Sequence, residues 1–262
     1  MLYAIEIAYN RHGESGRLIE GDKRMKLLRG FLILLTLGLL GNGFYQAIYV
    51  APTEATMGDV QRIFYYHVPS AMVSFLFFFA SFVGSIIYLA TRRNHPSRAL
   101  AADALALASA EVGVVFCTVV LITGPLWARP VWGIWWTWDA RLTTTMVLWL
   151  VYVSYLLLRR FAAGPQMQTL AAVLAIFGYV DVPIVYMSTR WWRTQHPAPV
   201  IGGGDGSGLA PSMATALWWN VLAWLAWGIL IMVVRYAVER RRQRVEQHAA
   251  LRALESSLEV AL

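Results

Sequence analysis

The sequence predicts an all-α, polytopic membrane protein with six transmembrane helices. Of its 262 residues, 58% are hydrophobic and only 14% are charged, whereas ordinary soluble domains carry about 25% charged residues. Predominantly apolar stretches recur at 31–50, 71–90, 99–123, 144–158, 169–188 and 214–234. Most of them approach the roughly 20 residues that a helix needs to cross a hydrocarbon core of about 30 Å.

Each element has its own sequence signal. The first stretch has full span length and follows a polar, mixed segment, so no cleavable signal peptide is expected. Residues 51–71 connect it to the second stretch, and the periodic pattern from Met57 to His67 predicts a short interfacial helix. The third stretch contains the single cysteine, Cys117, so no intrachain disulfide can form and a packing role is expected.

The remaining spans show local irregularities. The fourth stretch is only about 15 residues long, so it is expected to borrow interfacial residues or to thin the bilayer. The fifth contains Pro183, which predicts a kink near Asp181. The sequence therefore divides into an extension at 1–25, a membrane domain at 26–235 and a charged tail at 236–262 that continues the last span. Because Met25 directly precedes the first span, the extension is also compatible with an over-extended start.

Ionisable residues within the spans are Asp103, Glu111 and Asp181. A lone charge near mid-span is costly, so Glu111 is expected to be protonated, paired or directed at another subunit. Structural hydrogen bonds between helices are the favoured interpretation for all three residues, and a proton relay is the alternative.

Lysine and arginine placement predicts the orientation. Seventeen of the 22 Lys and Arg residues fall in the two termini and the second and fourth connections, and five fall in the other three connections. By the positive-inside rule, both termini face the cytoplasm and the tryptophan-rich stretch at 125–143 faces outward. These anchors account for the net charge of +7, so nucleic-acid binding is not indicated.

The stretch at 125–143 reads PLWARPVWGIWWTWDARLT and places five tryptophans within twelve positions. Tryptophans gather at membrane interfaces as anchors, but an anchoring belt does not explain consecutive indoles combined with glycine and a closing Asp and Arg. The preferred interpretation is an aromatic platform for a flat apolar ligand, formed by Trp127, Trp132, Gly133, Trp135, Trp136, Trp138 and Asp139.

Two of the five histidines stand out. His67 and His196 fall in outward connections near span ends, and each is closely followed by proline. Either one alone would be an ordinary interfacial histidine. Together, beside an aromatic platform, they suggest two imidazoles that converge on one metal. Because no cysteine or acidic cluster is nearby, haem iron with two axial histidines fits better than zinc or calcium. Arg129 and Arg141 are then candidates for contacts with the haem propionates, whereas Asp139 is expected to cap the fourth span or orient Arg141.

The absence of several sequence motifs argues against some classes of function. The sequence has no GxxxxGK[ST] phosphate loop, no CxxCH haem-attachment motif and no HExxH or GxSxG motif. The chain is therefore not expected to bind ATP through such a loop or to be a c-type cytochrome, and no bond chemistry can be located in it.

WGIWWTWDARLT resembles the WWD signature of haem-handling proteins of cytochrome c maturation. Three branches share its core: the CcmC family, the CcmF-type subunits and the CcsA-type synthases. The last two tend to continue with a proline and an acidic residue, whereas DARLT at 139–143 is similar to the CcmC family. RIFYYHVPSA at 62–71, GPLWARPVWG at 124–133 and DVPIVYMSTRWW at 181–192 extend the resemblance over nearly the whole chain after Met25.

The resemblance implies a haem-binding subunit of the bacterial inner membrane with His67 and His196 as axial ligands of a non-covalent haem b. It implies delivery to a periplasmic CcmE-like haem chaperone and assembly with CcmA-like ATPase, CcmB-like membrane and small CcmD-like subunits. The chain departs from the family's usual Leu-His-Gln by having Gln195-His196-Pro197. Alternatives are a synthase that attaches haem directly to apocytochrome and a b-type electron-transfer subunit.

Overall fold

Seven α-helices are present in the part of the chain that the structure describes. The computed structural model describes residues 27–162, 164, 166–200 and 208–261. The helices are α1 (Leu27–Val50), α2 (Phe64–Thr91), α3 (Pro96–Trp132), α4 (Ala140–Phe161), α5 (Met167–Tyr179), α6 (Asp181–Trp191) and α7 (Pro211–Ala261). Over the described ranges, six spans are long and apolar enough to cross a membrane, with α5 and α6 together forming the fifth. The expected all-helical, six-span fold is confirmed. The extension at 1–25 and the glycine-rich residues 201–207 lie outside the described residues.

The second span begins earlier than expected. Asp59–Ile63 forms a 3₁₀ turn that runs directly into α2, so no separate interfacial helix is present between Met57 and His67. The expectation that His67 lies in a connecting loop is therefore wrong, because this residue belongs to the first turn of α2. Pro69 lies inside the helix, at its sixth residue, so the Tyr65 carbonyl lacks the backbone N–H that would otherwise bond to it.

The tryptophan-rich stretch is only partly a loop. Helix α3 continues through Pro125 and Pro130 to Trp132, so Trp127 and Trp132 project from a helix. Gly133 ends this helix with a positive φ of 78°, a conformation that glycine adopts without steric cost. The segment between Gly133 and α4 then crosses the end of the bundle without regular structure.

The fourth span is not short. Helix α4 has 22 residues because Asp139 caps it at one end and because it continues through Arg159 at the other. The side chain of Asp139 accepts a hydrogen bond from the Leu142 N–H at 2.9 Å, which confirms the expected capping role. The apolar stretch at 144–158 predicts that the span ends just before Arg159. The helix includes Arg159, and its side chain is buried in the helix bundle.

The expected kink of the fifth span is present as a break. Helix α5 ends at Tyr179 and α6 begins at Asp181. Pro183 has no N–H to donate to Tyr179, four residues earlier, and its ring crowds that carbonyl. The proline therefore explains why the two helices do not form one continuous segment. The Oδ2 atom of Asp181 is buried and has no hydrogen-bond partner among the described residues, so the interhelical bond expected for it is not found.

Helices α2 and α3 form a close antiparallel pair. A Cβ atom added at Gly84 would lie 2.9 Å from the Ala102 carbonyl oxygen, and one at Gly113 would lie 2.5 Å from the Phe78 ring. Both glycines thus allow the helices to approach, as small residues do in membrane bundles. This register places His67 of α2 beside Gly124 of α3, where the candidate site begins.

Ion pairs join the helices at the opposite end. Arg159 of α4 donates to both carboxylate oxygens of Asp103 on α3, at 2.6 and 3.0 Å, and contacts Glu239 of α7 at 3.5 Å. Arg235 of α7 forms two hydrogen bonds of 2.5 Å with Glu111. Asp103 and Glu111 are therefore both paired with arginines, which offsets the cost of placing their charges within the helix bundle.

Candidate functional site

A cavity of about 480 Å³ opens among α2, α3, α4, α6 and the segments that connect them. It lies where α3 ends and α4 begins, which the charge distribution predicts to be the outer end of the protein. Its size falls within the roughly 300–1,000 Å³ of typical ligand pockets. Most of its walls are apolar, and the polar groups include both singled-out histidines, His67 and His196.

His67 is oriented by a neighbouring threonine. Its Nδ1 atom lies 2.8 Å from the Thr123 hydroxyl oxygen. That hydroxyl donates its own hydrogen to the Val119 carbonyl at 2.7 Å, so its oxygen is left to accept. The hydrogen-bond network therefore assigns the proton to Nδ1 and leaves the Nε2 lone pair free. Gly124 allows the approach, since a Cβ there would lie 3.5 Å from the His67 ring.

His196 lies in the connection after α6 and has the same tautomer. Its Nδ1 atom lies 2.8 Å from the Pro197 carbonyl oxygen, which can only accept a hydrogen bond. Burial, together with the nearby Arg141 guanidinium, lowers the pKa of His196 to about 4. The imidazole is therefore neutral at physiological pH, with Nε2 free, which is the form that binds metal ions.

The predicted platform residues divide into two groups. Trp127, Trp132 and Trp136 line the cavity, and the first two pack edge to face with ring centroids 5.0 Å apart. Trp135 and Trp138 are 55% and 74% exposed and do not line it, nor do Gly133 and Asp139. The Nε1 atom of Trp136 is buried and has no partner among the described residues, so this donor is available to a ligand.

The two predicted arginines occupy different surroundings. Arg141 lines the cavity, and its Nη1 donates to the Val185 carbonyl at 2.5 Å and to the Tyr186 carbonyl at 3.3 Å. These bonds tie α4 to α6 and hold the guanidinium at the cavity wall. Arg129 is exposed, donates to the Gly133 carbonyl and lies 5.9 Å from the Trp135 ring centroid. It is not among the lining residues.

Asp139 connects the platform to the second histidine, a link that sequence reasoning missed. Its Oδ2 atom accepts from Thr194 at 2.8 Å and from Thr137 at 3.2 Å, while its Oδ1 caps α4. The Thr194 hydroxyl oxygen in turn accepts from the His196 backbone N–H at 3.0 Å. The carboxylate therefore fixes the loop that carries His196. Thr194 precedes His196 by two residues in a connection otherwise without regular structure, so only its spacing could have indicated the bond.

Arg62 is a second residue that sequence reasoning missed. Its guanidinium donates to the Ala47 carbonyl at 2.6 Å, to the Ala51 carbonyl at 3.3 Å and to the Thr53 hydroxyl at 3.2 Å. Ala47 belongs to the π-helical turn at Gln46–Val50 that ends α1. Arg62 thus fastens the end of α1 to the 3₁₀ turn that leads into His67, and it positions the start of α2.

Comparison with known proteins identifies the family. Residues 20–251 match the family model described as "Heme exporter protein C" (CcmC). The chain is 37% identical over 198 residues to the Heme exporter protein C of Bradyrhizobium diazoefficiens, covering 73% of each chain. It is 31% identical over 228 residues to that of Escherichia coli strain K12, covering 82% of this chain and 85% of the relative.

A plant relative matches a shorter part of the chain. It is the "Putative cytochrome c biosynthesis ccmC-like mitochondrial protein" of Marchantia polymorpha, which is 34% identical over 171 residues and is covered over 68% of its length. The family model spans most of the 262 residues, including α1 to α6 and much of α7. The chain belongs to the haem exporter protein C family, CcmC.

Proposed function

We propose that this protein holds haem between His67 and His196 at the outer face of the membrane and passes it to a haem chaperone. The observation that carries the proposal is the pair of imidazoles that line one apolar cavity, each with Nδ1 hydrogen-bonded and Nε2 free. Two neutral histidines with free Nε2 atoms are a suitable axial ligand pair for haem iron.

The cavity walls suit the rest of a haem. Trp127, Trp132 and Trp136 offer flat apolar surfaces, and the unpartnered Nε1 of Trp136 offers a hydrogen-bond donor. Arg141 is the arginine at the wall and would bind a propionate. Arg129, on the exposed side of the Trp135 ring, would contact a propionate only at the mouth of the site.

We infer that the haem is b-type and bound without a covalent link. Covalent attachment in c-type cytochromes uses the two cysteines of a CxxCH motif, whereas this chain has one cysteine and no such motif. Cys117 is buried among apolar side chains of the bundle. The protein supplies binding and orientation, and it is not proposed to be an enzyme, although positioning haem would assist its attachment to the chaperone.

The proposed partners follow from the family and from the outer surface. Trp135 and Trp138 are exposed beside the cavity, and exposed indoles are typical of protein-binding surfaces. We propose that a CcmE-like chaperone docks there in the periplasm and that the protein resides in the bacterial inner membrane. Because the chain has no phosphate-binding loop, ATP hydrolysis is assigned to a CcmA-like subunit, with CcmB-like and CcmD-like subunits completing the complex.

Single histidine variants test the ligand pair. The purified protein with haem bound should show a six-coordinate, low-spin visible spectrum. His67→Ala and His196→Ala should each lose it, and exogenous imidazole should restore it by filling the vacated position. His95→Ala is the matched control, since His95 precedes α3 at the opposite end of the bundle. An unchanged spectrum in both site variants would refute the proposed ligands.

Capture experiments test the recipient. The haem-loaded protein should co-purify with a haem chaperone, and Trp138→Ala should weaken that complex while leaving the visible spectrum unchanged. Preferential capture of an apocytochrome bearing CxxCH would instead indicate direct attachment of haem to cytochrome.

A further inference from the structure

The last helix extends well beyond the membrane domain. Helix α7 runs from Pro211 to Ala261, and a cluster of arginines at 240–244 marks the level at which it leaves the hydrocarbon core. Gln243 is still buried, where its amide donates to the Leu100 carbonyl at 3.1 Å. Over residues 244–259, every side chain is exposed. This end of α7 therefore packs against no other part of the chain that the structure describes.

An apolar stripe follows the exposed end of α7. Leu251, Leu254 and Leu258 are 56%, 61% and 65% exposed, and their spacing of i, i+3 and i+7 places them on one helix face. Leu251 lies about 10 Å beyond Arg244 at 1.5 Å per residue, whereas the headgroup layer is only about 5–7 Å deep. The stripe therefore projects into water, where lipid does not cover it. A row of exposed leucines on a helix in water indicates a protein partner.

The other end of the chain lies on the same side of the membrane. An even number of spans, six, brings both termini to one side. The first and last spans are also neighbours, because the Asn220 amide of α7 donates to the Gly43 carbonyl of α1 at 3.0 Å. The residues that precede α1 are thus tethered beside α7.

These preceding residues carry a matching stripe. Leu2, Ile5 and Tyr9 have the same spacing of i, i+3 and i+7 as the three leucines of α7. Both stripes also fall at the edges of the range 20–251 that matches the family model: Leu254 and Leu258 follow it, and residues 2–9 precede it. A partner common to the whole family is therefore a poorer match for the stripe than a segment of this chain.

The connecting chain is long enough. Gly43 lies opposite Asn220, so the start of α1 at Leu27 lies near the level of residue 236 of α7, about 20–25 Å short of Leu251. Residues 10–26 span up to about 55 Å when extended. The segment at 2–9 can therefore lie along the stripe without any change in the six spans.

Charges favour an antiparallel arrangement of the two stripes. With Leu2 beside Leu258 and Tyr9 beside Leu251, Glu6 comes to the level of Arg252, and Arg11 to the level of Glu246.

A second copy of the chain matches less well. Two copies in one membrane would pair their tails in parallel, which sets Glu255 against Ala250 and gains no ion pair.

We propose that residues 2–9 form a helix that packs antiparallel on α7 at 251–258 and covers its leucines. The contact joins the two ends of the chain beyond the membrane, and it does not depend on the haem site at the opposite end of the bundle.

Cysteine pairs test the contact in the full-length protein in membranes. Ile5→Cys with Leu254→Cys should form an intrachain disulfide at least about fivefold faster than Ile7→Cys with Leu254→Cys, because Ile7 falls on the opposite helix face. The native Cys117 is buried and does not compete. Equal rates for the two pairs overturn the proposal, and a disulfide-linked dimer as the main product assigns the stripe to a second copy instead.

Labelling of the stripe gives a readout that needs no disulfide. Leu258→Cys should react slowly with a water-soluble maleimide, and adding Ile5→Asp should speed the reaction at least about fivefold by releasing residues 2–9. Adding Ile7→Asp is the matched control and should leave the rate unchanged. Slow labelling that Ile5→Asp does not change indicates another partner on the stripe and contradicts the proposal, as does fast labelling of Leu258→Cys alone. Native protein whose intact mass begins at Met25 contradicts it as well, since residues 2–9 are then absent.

Discussion

Replacing Thr123 by valine tests the tautomer assignment on which the ligand pair depends. The Thr123 oxygen lies 2.8 Å from His67 Nδ1 and accepts its hydrogen, because the threonine's own hydrogen goes to Val119. Valine keeps the shape and removes the acceptor. A buried donor left unpaired costs about 1–3 kcal/mol of stability. Loss of the partner that orients a metal-binding histidine typically weakens metal affinity about 10- to 100-fold.

The measurement combines two readouts. Haem affinity is obtained by titration of the visible spectrum, and stability by thermal unfolding of the protein without haem. Thr118→Val is the matched control: Thr118 is on the same helix, accepts from Trp149 Nε1 at 2.8 Å and does not line the cavity. Both variants should lose stability, and only Thr123→Val should lose haem affinity. Equal haem affinity in the two variants would refute the reasoning.

Three further predictions concern the second histidine and an ion pair at the opposite end of the bundle. Thr194→Val breaks the link between Asp139 and the His196 backbone, so haem should dissociate faster while α-helical circular dichroism stays unchanged. Haem binding should persist as the pH falls from 7 to 5 and decline only near the His196 pKa of about 4; a decline centred at pH 6.5 would contradict the lowered pKa. Arg159→Met leaves Asp103 buried without its cation and should cost about 3–5 kcal/mol in thermal unfolding, whereas adding Asp103→Leu should recover much of this loss.

The six-span fold could be predicted because span length and apolar composition are local properties of the chain. The helix boundaries could not be predicted in the same way, because they depend on contacts between residues that are distant in the sequence. Arg159 has the sequence signal of an exposed charge at a helix end; it does lie in the last turn of α4, but its side chain is buried because it pairs with Asp103 of another helix. The prolines of the tryptophan-rich stretch predict a loop, yet α3 contains Pro125 and Pro130 near its end.

The candidate site could be predicted in its residue types but not in its connections. The two histidines are closely followed by proline, and the indoles are clustered in one stretch that Arg141 closes, so these residues are conspicuous in the sequence. Thr123 and Thr194 are ordinary residues in such a chain, and their roles arise only when α3 meets α2 and when the connection after α6 meets Asp139. Hydrogen bonds between residues 55 or 56 positions apart leave no periodic signal in the sequence.

The two proposed ligands are held unequally, which matters because the proposed function requires haem to be both bound and released. His67 belongs to α2, which packs closely on α3 and is fastened at its start by Arg62. His196 depends on a connecting segment held through Thr194 and Asp139. Moving His67 requires a transmembrane helix to shift, whereas moving His196 requires only a few hydrogen bonds to break. Since each such bond contributes about 0.5–1.5 kcal/mol net, His196 is the ligand that can leave while the six spans stay in place.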